Sequence, residues 1–139
     1  MLIGKYVNSI DAKGRVFFPA KLREDMGDSF VVTRGLDGCL YAYSVDEWKR
    51  LEDAINAMPK TKSRDVARYF FSNAIQVETD KQGRILISSE LREHAGLSKD
   101  VVFLGVSSKV EIWDLEKWEK ICSNISDESV ADVMEELGF

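Results

Sequence analysis

The stretch DAKGRVFFPAKLRE, Asp11 to Glu24, recurs 69 residues later as DKQGRILISSELRE, Asp80 to Glu93. An internal repeat constrains a fold more than any single propensity, because one supersecondary unit written twice asks for two like structures around a shared core. With Asp11 set on Asp80, Gly14 meets Gly83 and Arg15 meets Arg84, and Leu22, Arg23, Glu24 and Gly27 meet Leu91, Arg92, Glu93 and Gly96. That is seven identities in seventeen positions, where typical residue frequencies supply about one. After a one-residue shift the likeness continues: Val31 and Val32 meet Val101 and Val102, Gly35 meets Gly105, and Trp48 meets Trp118. Each copy therefore spans about 45 residues, within the range of structural repeat units.

Local signals within a copy predict the order β-β-α-β-β-α. GKYVNSI and AIQVETD are short, rich in β-branched or aromatic residues, and each runs into D-x-x-G-R, so they read as strands ending in a turn. The aspartate can accept from the amides that follow it and the glycine can take positive φ, which makes the five residues a tight turn. VFF and ILI read as second strands. A short helix follows, entered through Pro19 in one copy and a Ser88/Ser89 cap in the other, and closed by Gly27 or Gly96. FVVTRG with CLYAYS, and VVFLG with KVEIWD, read as hairpins turned by LDG and SSK. VDEWKRLEDAI and LEKWEKICSNI are predicted helices. The segment between the copies becomes helical around RDVARYFF, its aromatic stripe reading as packing surface. The tail SDESVADVMEELGF places Val130, Val133, Met134 and Leu137 at helical spacing on an acidic background. Docking on its own core, covering a neighbour and remaining mobile are all open to it.

A chain of 139 residues, 45 % hydrophobic and 31 % charged, suits one compact domain or two small units sharing a core. No apolar run is long enough for a membrane span and no leader pattern opens the chain, so a cytosolic setting is expected. The net charge of −5 disfavours nucleic acid only if it is evenly spread, since binding responds to the local field. It is not: Met1 to Glu24 carries a local +3, and Glu111 to Phe139 a local −7. Cys39 and Cys122 stand far apart with His94 as the only histidine, which leaves no structural zinc set. Both cysteines read as small buried hydrophobes and His94 as a helix-end residue.

Two D-x-x-G-R turns in register place Arg15 and Arg84, with Lys13 and Lys81 beside them, on like parts of two like units. Arginine suits bidentate contact with phosphate or guanine, lysine a less directional phosphate contact, and a neighbouring carboxylate can orient the guanidinium. On chemistry alone, the alternative that Asp and Arg merely brace each turn stands equally. An enzymatic alternative brings Asp11 and Asp80 together as a proton-sharing dyad. The arginine that follows each of them favours ionised, paired carboxylates instead.

The paired motifs Asp11/Arg15 and Asp80/Arg84, the MLIGKY opening and the two-copy layout resemble the MraZ family of bacterial transcriptional regulators. The resemblance covers the chain to about Ile125. It implies an α+β fold in which two pseudo-symmetric repeats, 5–47 and 76–119, supply the halves of a swapped-hairpin β-barrel of the SpoVT-AbrB type. Residues 48–75 become a helical connector and 120–139 an acidic helix or tail. It also implies a non-enzymatic, cytoplasmic and nucleoid-associated protein without a cofactor. Such a protein forms a homo-oligomeric ring on direct repeats in double-stranded promoter DNA and represses its own division and cell-wall gene cluster. Lys13, Arg15, Lys81 and Arg84 then contact DNA, while Asp11, Gly14, Asp80 and Gly83 shape the loops. The copies depart from symmetry where Lys13 faces Gln82 and Ala12 faces Lys81. A protein-interaction or antitoxin-like module of the same fold is the alternative, with the acidic tail gripping a partner.

Overall fold

The computed structural model describes residues 1–139. Copy one contributes β1 (Leu2–Ser9), β2 (Arg15–Phe17), α1 (Ala20–Met26), β3 (Ser29–Arg34), β4 (Leu40–Ser44) and α2 (Val45–Asn56). A connecting helix, α3 (Lys60–Phe71), leads to copy two: β5 (Ile75–Glu78), β6 (Arg84–Leu86), α4 (Ser89–Ala95), β7 (Asp100–Ser107), β8 (Val110–Asp114) and α5 (Leu115–Cys122). A last helix, α6 (Asp127–Glu136), follows. The β-β-α-β-β-α order holds in both copies.

The two short helices start by different chemistry. Pro19, at φ −54°, precedes α1 without a side-chain cap, a preset entry that needs no amide donor. Ser88 caps α4 by accepting from the Leu91 amide at 3.3 Å, satisfying one orphan donor. Each helix then buries an i, i+4 pair, Leu22 with Met26 and Leu91 with Ala95. The connector helix begins four residues earlier than RDVARYFF suggests, because Pro59 accepts from the amides of Lys62 and Ser63 and opens the first turn.

Strand pairing interlocks the copies. Only the hairpins β3–β4 and β7–β8 pair within a copy. β1 runs antiparallel to β7 over eight residue pairs, β5 to β3 over four, β4 to β8 and β2 to β6, all between copies. Hydrogen bonding yields a six-stranded sheet, β1-β7-β8-β4-β3-β5, and a two-stranded ribbon, β2-β6. Exchanging the copies reverses the sheet order onto itself. A pseudo-twofold axis therefore passes between β4 and β8 and through the ribbon at Val16 opposite Ile85. This exchange of first strands against the partner copy's hairpin is the swapped-hairpin arrangement.

The main core draws from both halves, with Val16, Phe18, Leu22, Phe30 and Val32 meeting Ile85, Ile87, Leu91, Val101 and Phe103. Phe18 lies 4.6 Å from Phe30 in its own copy and 5.4 Å from Phe103 in the other, ring centre to ring centre. Burial of each such side chain contributes roughly 1.5–3 kcal/mol, so neither half keeps its core without the other. A second cluster on the outer sheet face joins Tyr41, Tyr43 and Trp113 to Trp48, Phe70 and Trp118. Phe70 stacks on Tyr41, as the aromatic stripe predicts, and Thr33 donates to the Phe70 carbonyl at 2.6 Å. No helix is long and apolar enough to cross a membrane.

Candidate nucleic-acid interface

The D-x-x-G-R loops have the same geometry in both copies. Asp11 Oδ1 accepts from the amides of Lys13 at 3.0 Å and Arg15 at 2.9 Å, while Oδ2 accepts from Arg15 Nε at 2.8 Å. Asp80 repeats this with the amides of Gln82 and Arg84 and with Arg84 Nε, each at 2.9 Å. The backbone closes each turn: Asp11 N–H donates to the Arg15 carbonyl and Gly14 N–H to the Asp11 carbonyl, with the same pair between Asp80, Gly83 and Arg84. Gly14 and Gly83 sit at φ +91° and +86°. These are conformations a β-carbon resists.

Both aspartates are held below the ordinary carboxylate pKa, first by the amide of the arginine four residues on; burial opposes this, and the same arginine's side chain and the amide two residues on add to the lowering. Each carboxylate is ionised and fully engaged within its own loop. This favours ionised, paired carboxylates over the shared-proton dyad. The pairing also does something for the arginine: it uses only Nε, leaving both terminal guanidinium nitrogens without a protein partner. The aspartate fixes the plane of the fork, and its prongs remain available to a phosphate or a guanine edge.

The ribbon sets the spacing of the two forks. Arg15 pairs with Leu86, Val16 with Ile85 and Phe17 with Arg84. Alternation sends Val16 and Ile85 into the core and Arg15, Phe17, Arg84 and Leu86 to the outer face. The two arginines are diagonal neighbours there, about 7–8 Å apart at the strand positions. Phe17 is 49 % and Leu86 59 % exposed between them, and the Arg84 guanidinium lies 6.0 Å from the Phe17 ring centre.

Each loop is also gripped by the opposite copy. Gly14 carbonyl accepts from Ile87 N–H at 2.8 Å, and Gly83 carbonyl from Phe18 N–H at 3.0 Å. Behind Gly14 lies the guanidinium of Arg92, held by donation from its Nε to the Ile87 carbonyl at 3.0 Å; behind Gly83 lies that of Arg23. Neither Arg23 nor Arg92 is in an ion pair. The site is thus two arginines per loop, one from each copy. Local sequence signals place Arg23 and Arg92 only on short helices. Their identity across the repeat was the available signal, but their destination depends on the strand exchange.

Lys13 and Lys81 are exposed at the loop tips, at non-equivalent positions. At the second loop a wholly polar depression of about 380 Å³ opens between Arg23, Asp28, Thr79 and Lys81. His94 stands in the last turn of α4 as expected. Cys39 is buried, and burial together with the nearby Glu111 and Asp37 pushes its thiol up to about 12. Cys122 corrects the sequence reading: it is exposed. It ends α5 beyond the sheet, where Ile121 and Ile125 are exposed as well.

Two interlocked copies of one β-β-α-β-β unit, carrying paired Asp–Arg loops on a shared ribbon, define an internally duplicated swapped-hairpin protein. A family model described as "MraZ protein, putative antitoxin-like" matches twice, over residues 1–68 and 70–137. The chain belongs to the MraZ family. Relatives named "Transcriptional regulator MraZ" include those of Thermoanaerobacter sp. (strain X514), 50 % identical over the whole of both chains, and Clostridium beijerinckii, 52 % identical over the whole of both. The relative of the same name from Caldanaerobacter subterraneus subsp. tengcongensis is 52 % identical over 99 % of this chain and 96 % of its own.

Proposed function

We propose that this chain is a sequence-specific, DNA-binding transcriptional regulator and not an enzyme. The observation that carries the reading is the pair of Asp-oriented arginines on one pseudo-symmetric ribbon whose terminal nitrogens have no protein partner. Arg15 and Arg84 contact guanine edges or phosphates, Lys13 and Lys81 add phosphate contacts, and Arg23 and Arg92 reinforce the field at the opposite copy's loop. Asp11, Gly14, Asp80 and Gly83 set the geometry. The halves 5–47 and 76–119 act as one covalent dimer, with 48–75 as connector and 120–139 as an acidic appendage. The names of the relatives support regulation of transcription. The family resemblance extends this to a cytoplasmic, nucleoid-associated ring that represses its own division and cell-wall cluster at promoter direct repeats. Two small loops per chain make weak individual contacts, and linking several chains raises avidity through effective concentration.

Fluorescence anisotropy on duplexes from upstream of the chain's own coding sequence, against scrambled duplexes, tests this. Arg15→Ala and Arg84→Ala should each cost about 1–3 kcal/mol per base contact and narrow the gap between the two duplexes. Unchanged affinity and discrimination in folded variants would move the DNA surface elsewhere. The "antitoxin-like" wording of the family model, with an exposed acidic C-terminal helix, favours a protein-binding module as the second reading. That reading expects no preference for the upstream duplex at all.

A further inference from the structure

The outer face of the ribbon is half apolar. β2 and β6 supply three residues each. Val16 and Ile85 are buried, and the four that face out are Arg15, Phe17, Arg84 and Leu86. Arg15 stands across from Leu86, and Phe17 across from Arg84. The arginines therefore occupy one diagonal of a four-residue patch and the apolar side chains the other. The pseudo-twofold axis that carries Arg15 onto Arg84 carries Phe17 onto Leu86, so both copies keep a large apolar side chain two residues beyond the arginine.

The core does not use either side chain: Phe17 and Leu86 belong to neither hydrophobic cluster. Single exposed hydrophobics are ordinary on a protein surface, but an apolar pair rimmed by polar groups marks a contact surface. The rim here is cationic. Arg15 and Arg84 stand at its corners, the Arg84 guanidinium 6.0 Å from the Phe17 ring centre. Beyond Phe17, Lys21 and Arg23 line a groove with it, and no acidic residue lines that groove.

The size of the patch limits what it fits. Two strands about 4.8 Å apart match the B-DNA major groove, about 12 Å wide, and are too broad for the minor groove at about 6 Å. The diagonal of about 7–8 Å covers about two base-pair steps of 3.4 Å. In that groove the one apolar group on a base edge is the thymine C5-methyl.

We propose that Phe17 and Leu86 are specificity-determining residues that read thymine methyl groups, on base pairs next to those the Arg15 and Arg84 forks contact. The arginines select guanine by hydrogen bonding, and the apolar pair distinguishes thymine from cytosine, which offers no methyl. The flat ring of Phe17 and the branched chain of Leu86 differ in shape, so the two half-sites need not be the same. The proposal rests on the DNA-binding reading above, with the forks on base edges.

Fluorescence anisotropy compares the upstream duplex with one in which every thymine is replaced by deoxyuridine, which removes the methyl and keeps the base pairing. The parent should bind the uracil duplex more weakly, by about fourfold for each methyl it buries. Phe17→Ala and Leu86→Ala should each bind the thymine duplex more weakly and lose part of that ratio. The double variant, its fold checked by circular dichroism, should bind the two duplexes alike. Equal affinity of the parent for both duplexes, a result that needs no variant to fold, overturns the proposal. A ratio that the double variant keeps also overturns it, because the methyl then acts through the shape of the duplex and not through these side chains. In either case an upstream preference that Arg15→Ala narrows leaves the DNA-binding reading standing. A parent without that preference overturns both.

Discussion

Replacing the loop glycines with alanine should hurt the two halves unequally. Both sit at positive φ, +91° at Gly14 and +86° at Gly83, so a β-carbon strains either backbone by roughly 1–3 kcal/mol. The surroundings differ. A β-carbon at Gly14 meets the Ile87 carbonyl oxygen at 2.6 Å as well as Arg92 Nε at 2.9 Å. That carbonyl holds Arg92 within copy two, and the Ile87 amide donates across the copies to Gly14 itself, so relieving the clash disturbs two hydrogen bonds, one of them between the copies, each worth roughly 0.5–1.5 kcal/mol. At Gly83 the obstacle is the guanidinium of Arg23, a flexible end that can swing away. Gly14→Ala should therefore cost about 2–6 kcal/mol and Gly83→Ala about 1–3 kcal/mol. Urea unfolding followed by circular dichroism gives both values, and thermal melts should show the Gly14 variant lower by a few degrees, at roughly 2–4 °C per kcal/mol. Equal losses, or a larger loss at Gly83, would refute the idea that the backbone carbonyl decides the difference.

Lys13→Ala should weaken all duplexes alike and lower the log–log salt slope by about one unit for each phosphate the lysine no longer neutralises, read by anisotropy titrations at several salt concentrations. Asp11→Ala removes a negative charge but frees the Arg15 fork, so non-specific affinity should hold or rise while discrimination falls; the same titrations decide. Burial holds His94 below its ordinary pKa of 6.5, reinforced by the charges of Arg34 and Lys117. The unfolded chain therefore takes the proton first, and stability present above that value is lost as pH falls through it; His94→Gln should flatten urea midpoints measured between neutral and mildly acid pH. A maleimide probe should label Cys122 at once and Cys39 only after denaturant is added, as counted by mass spectrometry.

The local vocabulary of the fold was readable because its signals are short-range. D-x-x-G-R predicts a turn whose aspartate accepts from following amides, and the Asp11 and Asp80 loops are such turns. Leu22 with Met26 and Leu91 with Ala95 mark the buried faces of α1 and α4. The pairing of β1 with β7 is different, because a strand's own pattern states which face is buried and not which partner lies alongside. The second arginine of each site was hidden for the same reason: Arg92 reaches Gly14 only once the halves have exchanged strands. Cys122 misled because flanking apolar residues signal burial only when the helix end has a surface to rest on.

The covalent join between the copies has a consequence for what can be read on a duplex. Two identical subunits related by a true dyad impose palindromy on their target, since each half must meet the same bases in opposite sense. This chain keeps the dyad only approximately: Ala12-Lys13 at one loop tip answers to Lys81-Gln82 at the other, and β1 pairs over eight residues where β5 pairs over four. Each loop can therefore change without its counterpart changing too. On the proposed DNA-binding reading, such a chain would carry an arrow, distinguishing left from right along the double helix within a single polypeptide.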